Sequence, residues 1–200
     1  MKFDDRKEMI IRAATELFDS KGYHATSIED ICNEVGITRG TLYYYITGKE
    51  DLLHEIHDRY ITAILAKAQE AISALDTQGT KEKLVALIRV HACIMRDYRK
   101  EITVFFREMD ALGPENFRSI AEKRRIYRDL LTSVIREGIE SGEFAPVDPR
   151  IASLALLGML NWMYQWYRPD GRLSVDQIAE ELISLVLHGL TPCVCKKISE

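Results

Sequence analysis

Two short apolar-periodic stretches separated by one glycine turn constrain this chain most. The first carries Ile28, Ile31, Cys32 and Val35 at helical spacing and stops at Gly36. Thr38 follows as an N-cap candidate, and Leu42 and Ile46 stand four apart on a stretch that ends at Tyr45 or Ile46. Two short helices joined by a tight turn form a helix-turn-helix candidate. The earlier helix begins at Thr26, with Glu29 at the spacing of a capping box. A helix over about 5–21 precedes them, with Ile10, Ala14, Leu17 and Phe18 as its apolar stripe and Gly22 as its stop.

The same period of 3.6 runs on to the end of the chain. Further helices are expected over about 49–75, 80–98, 100–112, 115–141, 148–167 and 174–190, broken by Gly48, Gly79, Gly113-Pro114, Gly142, Pro146 to Pro149 and Pro169 to Gly171. The fold class is therefore all-α with about nine helices. A three-helix bundle over 1–48 carries the helix-turn-helix. A larger helical region covers 49–192, and 193–200 is a polar tail. The 200 residues, 46% hydrophobic and 29% charged, suffice for a buried core and exclude a disordered chain. The first ten residues are too charged for a secretory core, and Cys32, Cys93, Cys193 and Cys195 fit no disulfide framework. The longest charge-free run, Ile151 to Tyr167, is short for a membrane span of ~20 residues. A cytoplasmic protein that does not cross a membrane is expected.

The third helix has an outward face that suits DNA. With Leu42 and Ile46 inside, Thr38, Arg39, Gly40, Thr41, Tyr43 and Tyr44 point out. Gly40 costs ~1 kcal/mol relative to alanine in a helix interior, which makes sense where another surface must approach closely. Arg39 offers a bidentate fork to guanine O6 and N7. Threonine and tyrosine hydroxyls suit phosphates, and tyrosine rings suit sugars or thymine methyls. Lys49 opens the next helix, where the dipole also favours phosphate. Residues 1–49 hold seven basic and eight acidic side chains, so affinity must come from local placement rather than bulk charge. A moderate salt dependence follows.

The stretch GYHATSIEDICNEVGITRGTLYYYITGKEDLL (Gly22 to Leu53) closely resembles the DNA-binding domain of TetR-family transcriptional regulators. The likeness spans about residues 6–53, and the length and helical remainder fit that family. The resemblance implies that Thr26 touches phosphate, that Thr38, Arg39 and Thr41 sit at recognition positions with Arg39 as base reader, and that Tyr43, Tyr44 and Lys49 contact the backbone. Tyr45-Ile46 departs from the family's His-Phe at positions that face the core. A homodimer on a palindromic, double-stranded operator is implied, because one module reads few base pairs.

The resemblance also places a dimer interface on the last two helices. Ile151 to Tyr167 is apolar nearly all round, and Gly158 permits close approach. Leu154, Gly158 and Trp166 on that segment, with Ile178, Leu182, Leu185 and Gly189 on the final helix, are the expected interface residues. Between head and interface the family encloses an effector pocket. Phe105, Phe106, Arg107 and Met109, then Arg125, Tyr127 and Arg128, and finally Trp162 are the expected ligand-facing residues. A cationic rim on an apolar tunnel suits an anionic, lipid-like effector. WYRPDGRLSVDQIAEELISLVLHGL (Trp166 to Leu190) resembles the end of repressors that answer to fatty-acyl-CoA or steroid-derived acyl-CoA thioesters.

The leading reading is a ligand-responsive repressor released by acyl-CoA. One alternative is a repressor of a drug-efflux gene that senses a hydrophobic or aromatic compound. Another is a helical scaffold that ignores DNA. No nucleophile elbow, phosphate loop or HExxH is present, so neither an enzyme nor a bound cofactor is expected. His54 and His57, three apart with Glu50 and Asp58 near, read as solvated rather than metal-binding. Cys193 and Cys195 read as free thiols.

Overall fold

A computed structural model describes residues 3–190, and every regular element among them is helical. The elements are α1 (Phe3–Lys21), α2 (Ile28–Val35), α3 (Arg39–Tyr43), α4 (Lys49–Ser73), α5 (Thr80–Asp97), α6 (Arg99–Glu108), a 3-10 turn (Met109–Ala111), α7 (Pro114–Glu140), α8 (Pro149–Asn161), α9 (Met163–Trp166) and α10 (Val175–Leu190). The segment expected as one helix over 148–167 is two, α8 and α9, separated at Trp162. The tail 193–200, with Cys193 and Cys195, lies outside the described residues.

The start of α2 is one residue later than its capping signal suggests. Ser27, not Thr26, is the N-cap. Its hydroxyl accepts from the Asp30 N–H at 3.1 Å, and the Asp30 carboxylate takes the Ser27 N–H at 2.7 Å. Thr26 is committed elsewhere: its hydroxyl donates to the Gly22 carbonyl at 2.8 Å and closes the loop after α1. At the other end Gly36 adopts φ +74°, a left-handed cap that strongly favours glycine. Thr38 caps α3 as expected, accepting from the Thr41 N–H at 3.2 Å. The helix is shorter than expected, and 3-10-type bonding through Tyr44 and Tyr45 finishes it.

The chain divides into two compact units. The first holds residues up to 63 and 97–124. Its core is built from Ile10, Ala14 and Phe18 of α1, Ile31 of α2, Leu42 of α3, Leu52 and Ile56 of α4, and Phe105 of α6. The helix-turn-helix therefore shares its core with α6. Lys100 of α6 also pairs with Glu16 of α1.

The second unit holds 64–96 and the residues from 125 on. Leu84, Leu87 and Ile88 of α5 are buried there, as are Leu131 and Ile135 of α7 and Leu156 and Leu160 of α8. Two pairs of its interior polar groups are bonded, Thr132 with Ser153 at 2.8 Å and His91 Nδ1 with the Tyr127 hydroxyl at 3.1 Å, while the buried Thr80 hydroxyl has no partner. Glu143 takes the first N–H groups of α5, from Thr80 and Lys81, and this holds its carboxyl below the usual range. Asp148 caps α8 by accepting from Arg150 and Ile151, with Pro149 at the first helical position.

Candidate nucleic-acid interface

The α3 face is exposed as its sequence suggests. Leu42 and Ile46 are fully buried, whereas Tyr43 and Tyr44 are 53% and 73% exposed. Thr38, Arg39 and Gly40 are exposed and Thr41 is half-buried. An added Cβ at Gly40 would meet only the Thr38 hydroxyl, at 3.9 Å. The protein's own packing therefore does not require glycine there.

Several of the expected DNA contacts have intramolecular partners, the Thr38 and Thr41 hydroxyls, 3.0 Å apart, among them. Arg39 donates to Glu29 of α2 at 2.5 Å, with both side chains largely exposed. Thr26 is buried and bonded to Gly22. Lys49 donates to the carbonyls of Tyr23 and Thr26 at 2.8 and 2.9 Å and lies 4.3 Å from the centre of the Tyr23 ring. An ammonium has three donors, so one N–H of Lys49 remains for a phosphate. The first turn of α4 is tied in the other direction by Glu50, which accepts from Gly113 N–H and Asn116, each at 2.8 Å. Those two bonds hold its carboxyl below the usual range.

The residues expected around an effector are placed as follows. In the first unit Phe105 is buried and meets the ring of half-buried Phe106 at 5.1 Å. Met109 is half-buried in the 3-10 turn, and exposed Arg107 donates to the Asp19 carbonyl of α1 at 3.4 Å. In the second unit Tyr127 is buried against His91. Arg125 and Arg128 both reach Asp129 at 3.2 Å on the surface of α7. Trp162 is 60% exposed, on the outer side of α8.

Exposed apolar side chains follow one another along α8, its C-terminal cap and α10. Ile151, Leu154, Trp162 and Leu185 are exposed, and so is Trp166. An added Cβ at Gly158 would meet nothing within 4 Å. A groove of about 220 Å³ lies against the stripe, lined by Ile135, Ala155, Leu156, Met159, Leu185 and Val186. Of the other expected interface residues, Ile178 is buried and Leu182 half-buried. Gly189 falls within α10, where its surroundings lie outside the described residues.

The expectation of solvated histidines on α4 is corrected. His57 is fully buried, and the Nε2 of His54 is also inaccessible, because α6 packs over this face and sets Phe105 against the His57 ring at 4.8 Å. Among the described residues no group of three or more metal-ligating side chains converges, and no helix is long and apolar enough to cross a membrane.

Residues 77–190 match the family model described as tetracyclin repressor-like, C-terminal domain, and residues 10–56 match that of bacterial regulatory proteins, tetR family. The HTH-type transcriptional repressor KstR2 of Rhodococcus jostii (strain RHA1) is 31% identical over 192 residues, 92% of this chain and 90% of the relative. The crystal structure of the TetR family transcriptional regulator PfmR from Thermus thermophilus superposes with a TM-score of 0.84 at 32% identity, covering 90% of this chain and 97% of that one. The crystal structure of AibR in complex with isovaleryl coenzyme A and operator DNA gives 0.79 at 29%, covering 90% and 97%.

Proposed function

Because this chain belongs to the TetR family of bacterial transcriptional regulators, we propose that it is a homodimeric cytoplasmic repressor released from a palindromic operator by an acyl-CoA thioester. The family consists of non-enzymatic DNA-binding proteins, and ligand-responsive repression is its coarse function. The acyl-CoA effector rests on one observation: a solved neighbour of this fold holds isovaleryl coenzyme A and operator DNA together.

On this reading residues 1–48 are the reading head. Arg39 reads a base edge while Thr38, Thr41, Tyr43, Tyr44 and Lys49 position the backbone, and Gly40 lets the duplex approach. Thr26, buried with its hydroxyl on Gly22, instead shapes the loop before α2. Residues 49–192 take the effector and dimerise. The stripe Ile151, Leu154, Gly158, Trp162, Leu185 supports dimerisation, because an exposed apolar row this long calls for a covering partner. Trp162 then serves the interface rather than the effector. The free dimer holds its recognition helices one turn of DNA apart, ~34–36 Å. Effector binding shifts the population toward a form in which α4 holds the heads at another spacing.

Selection of operators from a random duplex library, with and without a panel of acyl-CoA thioesters at fixed salt, tests this reading. A palindromic site released by a thioester is the expected result. A palindromic site indifferent to the panel removes the acyl-CoA effector and leaves a sensor of hydrophobic compounds. No enriched site at any salt overturns the reading.

A further inference from the structure

The core under α4 holds a polar cluster that neither the DNA face nor the outer stripe uses. His57 is fully buried, and neither of its ring nitrogens has a hydrogen-bond partner. The Val104 carbonyl is near enough to favour a proton on the ring, but no bond of normal geometry forms. One turn earlier the Nε2 of His54 is buried and unpartnered too. The His57 ring meets the edge of Phe105 at 4.8 Å, Tyr60 meets the same ring at 5.4 Å, and the Arg124 guanidinium lies over it at 4.9 Å. Helices α4, α6 and α7 thus gather an imidazole, a phenol and a guanidinium around one buried aromatic ring, with a second imidazole one turn earlier on α4.

Leaving a buried donor or acceptor unpaired costs free energy, so native interiors keep such groups where something else completes them. Leu53, Ile56 and Ile61 of α4 and Ile102 and Val104 of α6 are buried in the same unit, with Thr103 the buried polar residue between the last two. Burial pushes the His57 pKa down to about 3, so the ring is neutral and offers one N–H and one lone pair. A neutral donor in an apolar shell suits an uncharged oxygen. A carboxylate would lose its water with only half-buried Arg124 to compensate it.

We propose that this cluster is a polar point in the effector site, where His57 donates to a carbonyl or hydroxyl oxygen on the apolar part of the effector. The proposal rests on the reading of the chain as an effector-released repressor and names the group that the effector must present. It also supplies a route to the DNA. His57 lies eight residues after Lys49, ~12 Å along one helix. Lys49 in turn holds the Tyr23 and Thr26 carbonyls beside α2. A ligand that draws on His57 draws on the helix that anchors the head.

The test uses the full chain, its selected operator, and the variants His57→Phe and His57→Gln. The probes are isovaleryl-CoA, longer straight-chain acyl-CoAs, the matching free acids and a steroid ketone. For His57→Phe the expected result is unchanged operator affinity, an equal or higher melting temperature, and about tenfold or more probe for half-release. Gln, which keeps a donor and an acceptor, recovers part of the response. Release by thioester or ketone but not by the free acid supports a neutral oxygen, and preference for the free acid overturns it. Release of the Phe variant at the wild-type concentration also overturns the proposal. If no probe releases the wild type, the acyl-CoA reading fails by itself. The melting temperature then decides the site: a rise for His57→Phe supports a binding residue, and a fall identifies a structural imidazole and overturns it.

Discussion

The Nζ of Lys49 lies 2.8 Å from the carbonyl oxygen of Tyr23 and over the ring of the same residue. One side chain at the start of α4 thus fixes the loop from which α2 departs. Charge-assisted hydrogen bonds contribute about 1.5–3 kcal/mol and an exposed cation–π contact about 0.5–1. Lys49→Met keeps the aliphatic stem and removes both, so a loss of about 2 kcal/mol in denaturant unfolding is expected. If the third N–H meets a phosphate, the variant weakens operator and random duplex alike. Its salt slope then falls by about 0.9. A loss confined to operator contradicts the phosphate role.

Arg39 and Glu29 form an exposed pair, which water and salt weaken, so releasing Arg39 to a guanine is cheap. Arg39→Ala is expected to lose about 1–3 kcal/mol of discrimination at one base pair. Glu29→Gln removes a carboxylate that repels phosphate and competes for the guanidinium. Random duplex should then bind several-fold tighter while operator gains less, so the specificity ratio falls. Equal gains on both duplexes would show that Glu29 acts only as bulk charge. Titration of both duplexes at two salt concentrations separates the cases.

The pieces of this site readable in the sequence are the local ones. The Thr38 cap, the Gly36 stop and the inward pair Leu42 and Ile46 each depend on neighbours within four residues. A competing Thr26 hides the Ser27 cap, because its own hydroxyl is taken by a carbonyl four residues back. His57 reads as solvated when judged by residue type, although Leu53, Tyr60, Ile61 and Ile64 put it at helical spacing on the apolar face of α4 that α6 covers some fifty residues later. Lys49 carries no such local signal, because its carbonyl partners lie more than twenty residues earlier. Aromatic character alone groups Trp162 with effector residues, and only the helix register shows it among the exposed stripe residues.

Leu185 is 62% exposed beside the groove of the second unit, so a charge there costs the single subunit little. Across a two-fold interface the same charge is buried against its own copy. Leu185→Glu is expected to weaken association by about 2 kcal/mol or more while leaving helix content unchanged. Sedimentation velocity should show monomer where the parent is dimeric, with cooperative operator binding lost. A variant that sediments like the parent removes this stripe from the interface.

Acid should destabilise the fold in two stages. Burial holds His91 neutral down to about 4 and His57 down to about 3, whereas an ordinary imidazole takes its proton near 6.5. Between those values the unfolded chain gains protons that the folded one refuses, so stability falls across that window and levels below it. The hydrogen-bonded carboxylates Glu50 and Glu143 act lower. Their folded pKa values lie below the ordinary 4.5, so their contribution is complete above that value and is lost as pH falls further. Melting temperature against pH should therefore decline from about 6.5 and steepen below about 4.5. His91→Gln keeps a hydrogen-bonding group toward Tyr127 and should weaken the upper stage without abolishing it, because His57 carries the remainder.

Gly138 sits inside α7, where helix propensity alone favours alanine by about 1 kcal/mol. The space argues the other way. A Cβ at Gly138 would lie 2.2 Å from Cδ2 of the Phe144 ring and 2.8 Å from the Thr80 hydroxyl. Phe144 is buried, and its own N–H donates to the Gly138 carbonyl at 2.9 Å, so ring and helix are locked together. Overpacking typically costs about 1–3 kcal/mol, and here the ring must leave its site, which places Gly138→Ala at the upper end. The clash outweighs the propensity gain, and a net loss of about 2 kcal/mol is expected in chemical unfolding. Phe144→Leu alone removes ring volume and destabilises by a similar amount through the cavity it leaves. In the double variant the new methyl occupies part of that space, so the combined loss should fall short of the sum of the two singles. Additive losses would show that the ring moves aside freely and that Gly138 is not held by this contact.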